Sequence, residues 1–181
     1  GQGIAANINS LCFNLPSSIG TAVTTMISIN MGLKNIEKSK KIFTYSWITS
    51  VVIAALTIIL IVPLNHNMIS LFTRNREVAV IADNALNIFT YSIIGFGIFT
   101  VCQGVYVALG KNNIPLIMSI LRIWLFRYAF ILLTQKFLGL YSIFWGNLFS
   151  NTAAGILFFY LVKTLDWENV DVRKLKIKKL K

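Results

Sequence analysis

The residues of this chain that could do chemistry are polar side chains set inside long apolar stretches. Asn7, Asn14, Ser18, Thr21, Thr25 and Ser28 recur at spacings of seven, four, three, four and three, which gathers them on one helical face. Amides and hydroxyls so placed exchange hydrogen bonds without carrying charge. A stripe of them cannot face lipid cheaply, so it lines a water-filled cavity or bonds to another helix. Gln103, and Asn147 with Asn151 one turn later, stand in two further apolar stretches, where they border an interior path or pack between helices. Arg122 and Arg127 lie in a fourth, where a guanidinium needs water, headgroups or partners. Five residues apart on an α-helix, they point about 140° apart and cannot share one set of partners. Arg122, nearer the helix end, can reach outward to the interface, and Arg127 near mid-span faces the interior unless it too reaches outward.

Covalent chemistry has no visible seat. Of the six acidic residues, Glu37, Glu77, Asp166, Glu168 and Asp171 fall in loops and Asp83 in the first turn of a span, so none stands at mid-membrane depth. His66 is a single loop residue, and Cys12 and Cys102 stand alone as small buried residues without metal-ligand spacing. No nucleophile–base set, paired carboxylates or phosphate-binding glycine loop occurs. The expectation is no catalytic residue, no metal site and no cofactor, hence not an enzyme.

The elements that must position these groups are membrane-spanning helices. Residues 1–33, 42–65, 84–110 and 137–162 carry no charge, and a bilayer core about 30 Å thick needs roughly 20 apolar residues at 1.5 Å each. With 114–135, which holds the two arginines, they predict an all-α polytopic transmembrane bundle of about five helices, near 3–32, 42–64, 78–110, 114–135 and 138–164. The bundle is then 1–165, and 166–181 is a basic tail. The composition, 56% hydrophobic and 13% charged, excludes an ordinary soluble domain. Pro16 and Gly20 should bend the first span, and Gly146, Ser150 and Ala154 form a small-residue row for close packing.

The net charge of +11 suggests nucleic acid only until its placement is read. Lys34, Lys38, Lys40, Lys41, Lys111, Lys163 and six residues of the tail, 12 in all, fall on one side of an alternating topology, against three, Arg74, Arg76 and Lys136, on the other. Positive-inside bias puts the first group and the C-terminus in the cytoplasm of a multi-pass cell-membrane protein, with no nucleic-acid partner. The tail lies along anionic headgroups or is solvated, and Trp47 and Trp167 sit near the cytoplasmic interface. Gly1 then starts outside, and the chain reads as a piece of a longer protein with at least one span upstream.

Leu15 to Ile42, LPSSIGTAVTTMISINMGLKNIEKSKKI, resembles the multidrug and toxic compound extrusion (MATE) family, whose eighth helix carries a proline, a G-x-A-V run and a terminal G-x-N-x-G-x-x-N followed by basic residues. Pro16, Gly20, Ala22, Val23, Asn30, Gly32, Asn35 and Lys38 to Lys41 match, with Ser28 in place of the first terminal glycine. ISLFTRNREV, VALGKNNIPLIMSILRIWLF and GLYSIFWGNLFSN are similar, in order, to the family's later junctions. The resemblance implies the last five helices of a twelve-helix antiporter, a MATE-type C-lobe lacking its N-terminal lobe. It implies export of organic cations or amphipathic small molecules across the lipid bilayer, coupled to Na+ or H+ entry. Some members carry an ion-binding acid in the tenth helix, where this chain has a hydrophobic residue near Ile98. Two other roles compete: a lipid-linked oligosaccharide flippase of the same superfamily, and a non-transporting membrane scaffold subunit.

Overall fold

A computed structural model describes the backbone of residues 2–72 and 76–168 and the side chains of 13–64, 69 and 79–168. Five helical rods follow in order: α1 Gln2–Gly32, α2 Ile36–Phe72, α3 Arg76–Ala108, α4 Asn113–Leu138 and α5 Tyr141–Lys163. The expectations for Cys12, for the side chains of Asn7 and His66, for the loop at 73–75 and for the tail beyond 168 lie outside the described residues.

Charged residues end an apolar stretch but not the helix that carries it. α2 begins six residues ahead of Ile42 because Asn35 caps it: its Oδ1 accepts the Lys38 N–H at 3.0 Å and its carbonyl the Ser39 N–H at 3.2 Å. Glu37, expected in a loop, therefore lies in the first turn of α2, where the helix dipole favours an acid, and pairs with Lys41 at 2.8 Å.

The corners are tight. At the end of α1, Lys34 turns left-handed (φ 57°), the Asn35 N–H donates to Asn30 O at 2.8 Å and the Lys34 N–H to Met31 O at 3.0 Å. These are the two bonds of a Schellman turn. α3 ends the same way on Gly110 (φ 71°), with Lys111 N–H donating to Tyr106 O and Gly110 N–H to Val107 O, both at 3.0 Å. Gly139 (φ 53°) stops α4. Connectors this short reverse the chain between neighbouring helices.

α3 is the axis of the bundle and packs against α1, α2 and α5. Its Ile93, Phe99, Val101, Cys102, Val105 and Tyr106 are buried, while Tyr91 and Val107 remain exposed. Backbone meets backbone at two of its contacts. A Cβ on Gly20 would stand 2.8 Å from Thr100 O, and one on Gly104 2.5 Å from Gly20 O; on the other flank, a Cβ on Gly155 would stand 2.6 Å from Gly95 O. Small residues let membrane helices approach this closely and bond across the gap. Thr24 Oγ1 donates to Gly104 O at 3.2 Å, and Thr100 Oγ1 to Pro16 O at 3.0 Å.

The outside of the bundle is apolar. Val52, Leu56, Ile59 and Leu60 on α2, and Leu116, Ile123, Trp124 and Leu133 on α4, are exposed. Such a surface is matched to lipid rather than water. Among the described residues, three helices are long and apolar enough to cross a membrane by length and composition: Ile36–Leu64, Ala79–Ala108 and Asn113–Leu138. α1 and α5, counted as spans from their lack of charge, are not among the three; Ser, Thr, Asn and Gly dilute their hydropathy. In α5 those groups turn inward, where Ser142, Gly146, Asn147, Ser150 and Asn151 are buried. After α5 the chain folds back, and Trp167, expected at the interface, is buried with its ring 6.4 Å from Phe43.

Candidate functional site

α4 is not a uniform α-helix. Residues Leu121–Tyr128 form a π-helical segment between α-helical Asn113–Ile120 and Ala129–Leu138. Its wider winding brings residues five apart onto one face of the helix. Arg122 and Arg127 are five apart, so both turn toward α5. The α-helical geometry read from the sequence separates them, and the observed winding corrects it.

The two guanidiniums are held by one polar cluster. Arg122 donates from Nη1 to Asn151 Oδ1 at 3.0 Å, and Arg127 from Nε to Ser150 Oγ at 3.3 Å and from Nη2 to Asn147 Oδ1. Ser150 Oγ passes a bond to Asn147 O at 3.0 Å, while Asn151 Nδ2 donates to Asn147 Oδ1 at 3.3 Å and to Ser92 Oγ on α3 at 3.4 Å. Arg122, expected to reach the interface, instead lies inward, with its Cζ 4.6 Å from the Phe99 ring centroid and 5.2 Å from Phe96. A charge at mid-bilayer costs about 2.5–3.5 kcal/mol on insertion scales. Hydrogen bonds to a charged group return roughly 1.5–3 kcal/mol each and cation–π contacts about 0.5–2 kcal/mol, so the ions are held in place but not neutralised. Among the described residues, the acceptors on the two arginines are amide and hydroxyl oxygens rather than carboxylates.

Two cavities open beside this cluster and share Arg122 and Phe96. One, of about 540 Å³, lies between α1, α3 and α4 and is lined by Ser17, Thr21, Thr25, Gln103 and Ser119 among others. The other, of about 380 Å³, is lined by Phe13, Phe89, Ile143, Arg127, Asn147 and Asn151. Both volumes fall within the range of small-molecule sites.

Thr21, Thr25 and Gln103 thus share one cavity, and Asn147 and Asn151 share the other with both arginines. Asn14 and Ser18 are exposed on α1 and line neither. The lining arc of α1 is rotated from the stripe drawn from the sequence toward Ser17 and Thr24. That rotation follows from where Pro16, Gly20, Val23 and Ile27 seat against the bundle, which polarity alone does not report. Many of the α1 hydroxyls also bond their own helix: Ser18 Oγ donates to Asn14 O, Thr21 Oγ1 to Ser17 O and Thr25 Oγ1 to Thr21 O. Such back-bonding satisfies a hydroxyl in an apolar surround and leaves its lone pairs free. Ser150, expected in a small-residue packing row, is also an arginine acceptor, and no short motif marks Ser92, Phe96 or Phe99.

A family model described as MatE matches residues 1–133, from α1 into the second half of α4. The chain belongs to the MatE family. It is 28% identical over 128 residues to the probable multidrug resistance protein NorM of Buchnera aphidicola subsp. Baizongia pistaciae (strain Bp), covering 70% of this chain and 28% of that protein. It is also 28% identical over 107 residues to the probable multidrug resistance protein YoeA of Bacillus subtilis (strain 168), covering 59% of this chain and 23% of that one. The chain therefore spans about a quarter of the length of these curated relatives. Two solved structures share the fold over 97% of the chain: the eukaryotic MATE transporter AtDTX14, with a TM-score of 0.84 at 16% identity over 40% of that chain, and an inward-facing multidrug resistance MATE family transporter of the MOP superfamily, with 0.80 at 19% over 39%. MatE membership and the apolar helices make this a chain of a multi-pass membrane protein.

Proposed function

We propose that the parent of this chain exports small amphipathic compounds across the membrane, and that α1, α3, α4 and α5 supply part of the wall of its substrate cavity. The observation that carries the reading is a pair of open cavities lined by both polar and aromatic side chains, in a bundle whose exterior is apolar and in a chain of the MatE family. Thr21, Thr25 and Gln103 would hydrogen-bond a passing solute, while Asn147 and Asn151 keep Arg122 and Arg127 oriented. Sodium or proton entry would drive export, with the remaining lobe of the parent closing the opposite wall. The corners at 33–35 and 109–112 and the C-terminus would face the cytoplasm.

The test is export from proteoliposomes or from cells lacking their own pumps, comparing the full-length parent with Thr21→Leu and Thr25→Leu. Drug or dye movement under a sodium or proton gradient, reduced by both substitutions, supports the reading. If the folded parent moves no compound under either gradient, export is wrong and the flippase or scaffold roles take its place.

A further inference from the structure

The charge of the cavity names the class of solute. Arg122 borders both cavities and Arg127 the smaller one, and each is pinned from the α5 side by neutral oxygens. The Arg122 Nε is buried without a partner and out of reach of a cavity solute, so any contact falls to the terminal nitrogens, each of which carries two N–H groups. If the pair served only to tie α4 to α5, uncharged donors would make the same bonds to Asn147, Ser150 and Asn151 without the cost of desolvating two cations. A guanidinium fork held from one side, with donors left over, is shaped for an oxyanion on the other. Beside it, Phe13, Phe89 and Phe96 supply an apolar wall.

We propose that this site binds an amphipathic anion: a carboxylate, sulfonate or phosphate lodges at Arg122 and Arg127, and an aromatic or aliphatic body lies on the phenylalanine rings. The proposal rests on the export reading and gives it a substrate class. A cationic compound is disfavoured here, because it would meet two like charges at close range. The oxyanion could belong to a soluble molecule or to a lipid headgroup, and the chemistry at the arginines is the same.

The experiment uses the full-length parent in nanodiscs of zwitterionic lipid and two probes with the same ring, p-toluenesulfonate and benzyltrimethylammonium. The wild type should bind the sulfonate at least tenfold more tightly, and Arg122→Gln with Arg127→Gln should abolish the preference while the protein stays folded by size exclusion and thermal melting. Arg→Lys at both positions should restore part of it, because charge without the fork remains. Equal binding, cation preference or no binding by the folded wild type overturns the proposal, since the arginines are then neutralised from within the parent. That comparison needs no variant, so a misfolded mutant does not weaken it. Displacement of the sulfonate by farnesyl phosphate assigns the site to lipid headgroups and failure to displace it to soluble anions; either keeps the oxyanion site. Arginine-dependent anion binding without gradient-driven movement sinks export but not the site. Export of a cationic dye that is indifferent to Arg→Gln sinks the site but not export.

Discussion

Replacing Gly104 by Ala should separate α1 from α3. The added Cβ would stand 2.5 Å from Gly20 O and 3.1 Å from Thr24 Oγ1, whereas ordinary contact begins at 3.4 Å. The first neighbour is backbone and cannot rotate away, so the helices must part by about 0.9 Å, the difference between those distances. At that separation the Thr24 Oγ1 to Gly104 O bond, now 3.2 Å, and the Thr100 Oγ1 to Pro16 O bond, now 3.0 Å, pass beyond hydrogen-bonding distance. Each hydroxyl keeps an acceptor in its own helix, Gly20 O at 3.0 Å for Thr24 and Gly97 O at 2.9 Å for Thr100, so the two lost bonds remove about 0.5 kcal/mol each and overpacking adds about 1–3 kcal/mol. The better helix propensity of alanine returns about 1 kcal/mol. The net loss is then roughly 1–3 kcal/mol. Gly32→Ala is the control, because a Cβ there meets nothing within 4 Å. Thermal melting of the detergent-solubilised parent, read by fluorescence size exclusion, should show a clear drop for Gly104→Ala and none for Gly32→Ala. A Gly104→Ala protein as stable as the wild type would refute backbone contact between α1 and α3.

Gly139→Ala forces a side chain onto a φ of 53° and should cost about 1–2 kcal/mol although the space around it is open, measured by the same melting assay. Lys34→Gly should act oppositely, relieving about 1 kcal/mol at the left-handed corner of α1 and raising the melting temperature. Arg127→Leu removes the donor to Ser150 Oγ and one of the two donors to Asn147 Oδ1, and Arg122→Leu removes the donor to Asn151 Oδ1, so both should reduce folded yield by similar amounts; harm from Arg127→Leu alone would contradict the shared cluster. Cysteine placed at Asn112 should react with a membrane-impermeant maleimide only from the cytoplasmic side, and cysteine at Lys136 only from outside.

The helices were legible because absence of charge and apolar length are one-dimensional properties. Their ends were less so: charge at Glu37 to Lys41 marks where lipid contact stops, while the helix start is set by the Asn35 cap. The polar groups were recognisable for the same one-dimensional reason, but their grouping was not. The shared position of Arg122 and Arg127 depends on π winding over LRIWLFRY, for which the residues give no cue. Which arc of α1 faces the cavity depends on how glycine contacts elsewhere fix its rotation, so Asn14 and Ser18 were grouped with Thr21 and Thr25 on polarity alone.

The glycine contacts of α3 also sort the bundle mechanically. Rods that touch through peptide groups cannot roll about their own axes without collision, so α1, α3 and α5 behave as a single stiff block. α4 also seats on α5, where a Cβ on Gly146 would stand 3.5 Å from Arg127 O, and on the core through Met118, while its outer flank is free of the rest of the described chain. Any displacement of α4 would have to break the bonds from Arg122 and Arg127 to Asn151, Ser150 and Asn147, so the shape of the cavity and the position of its charge are tied together.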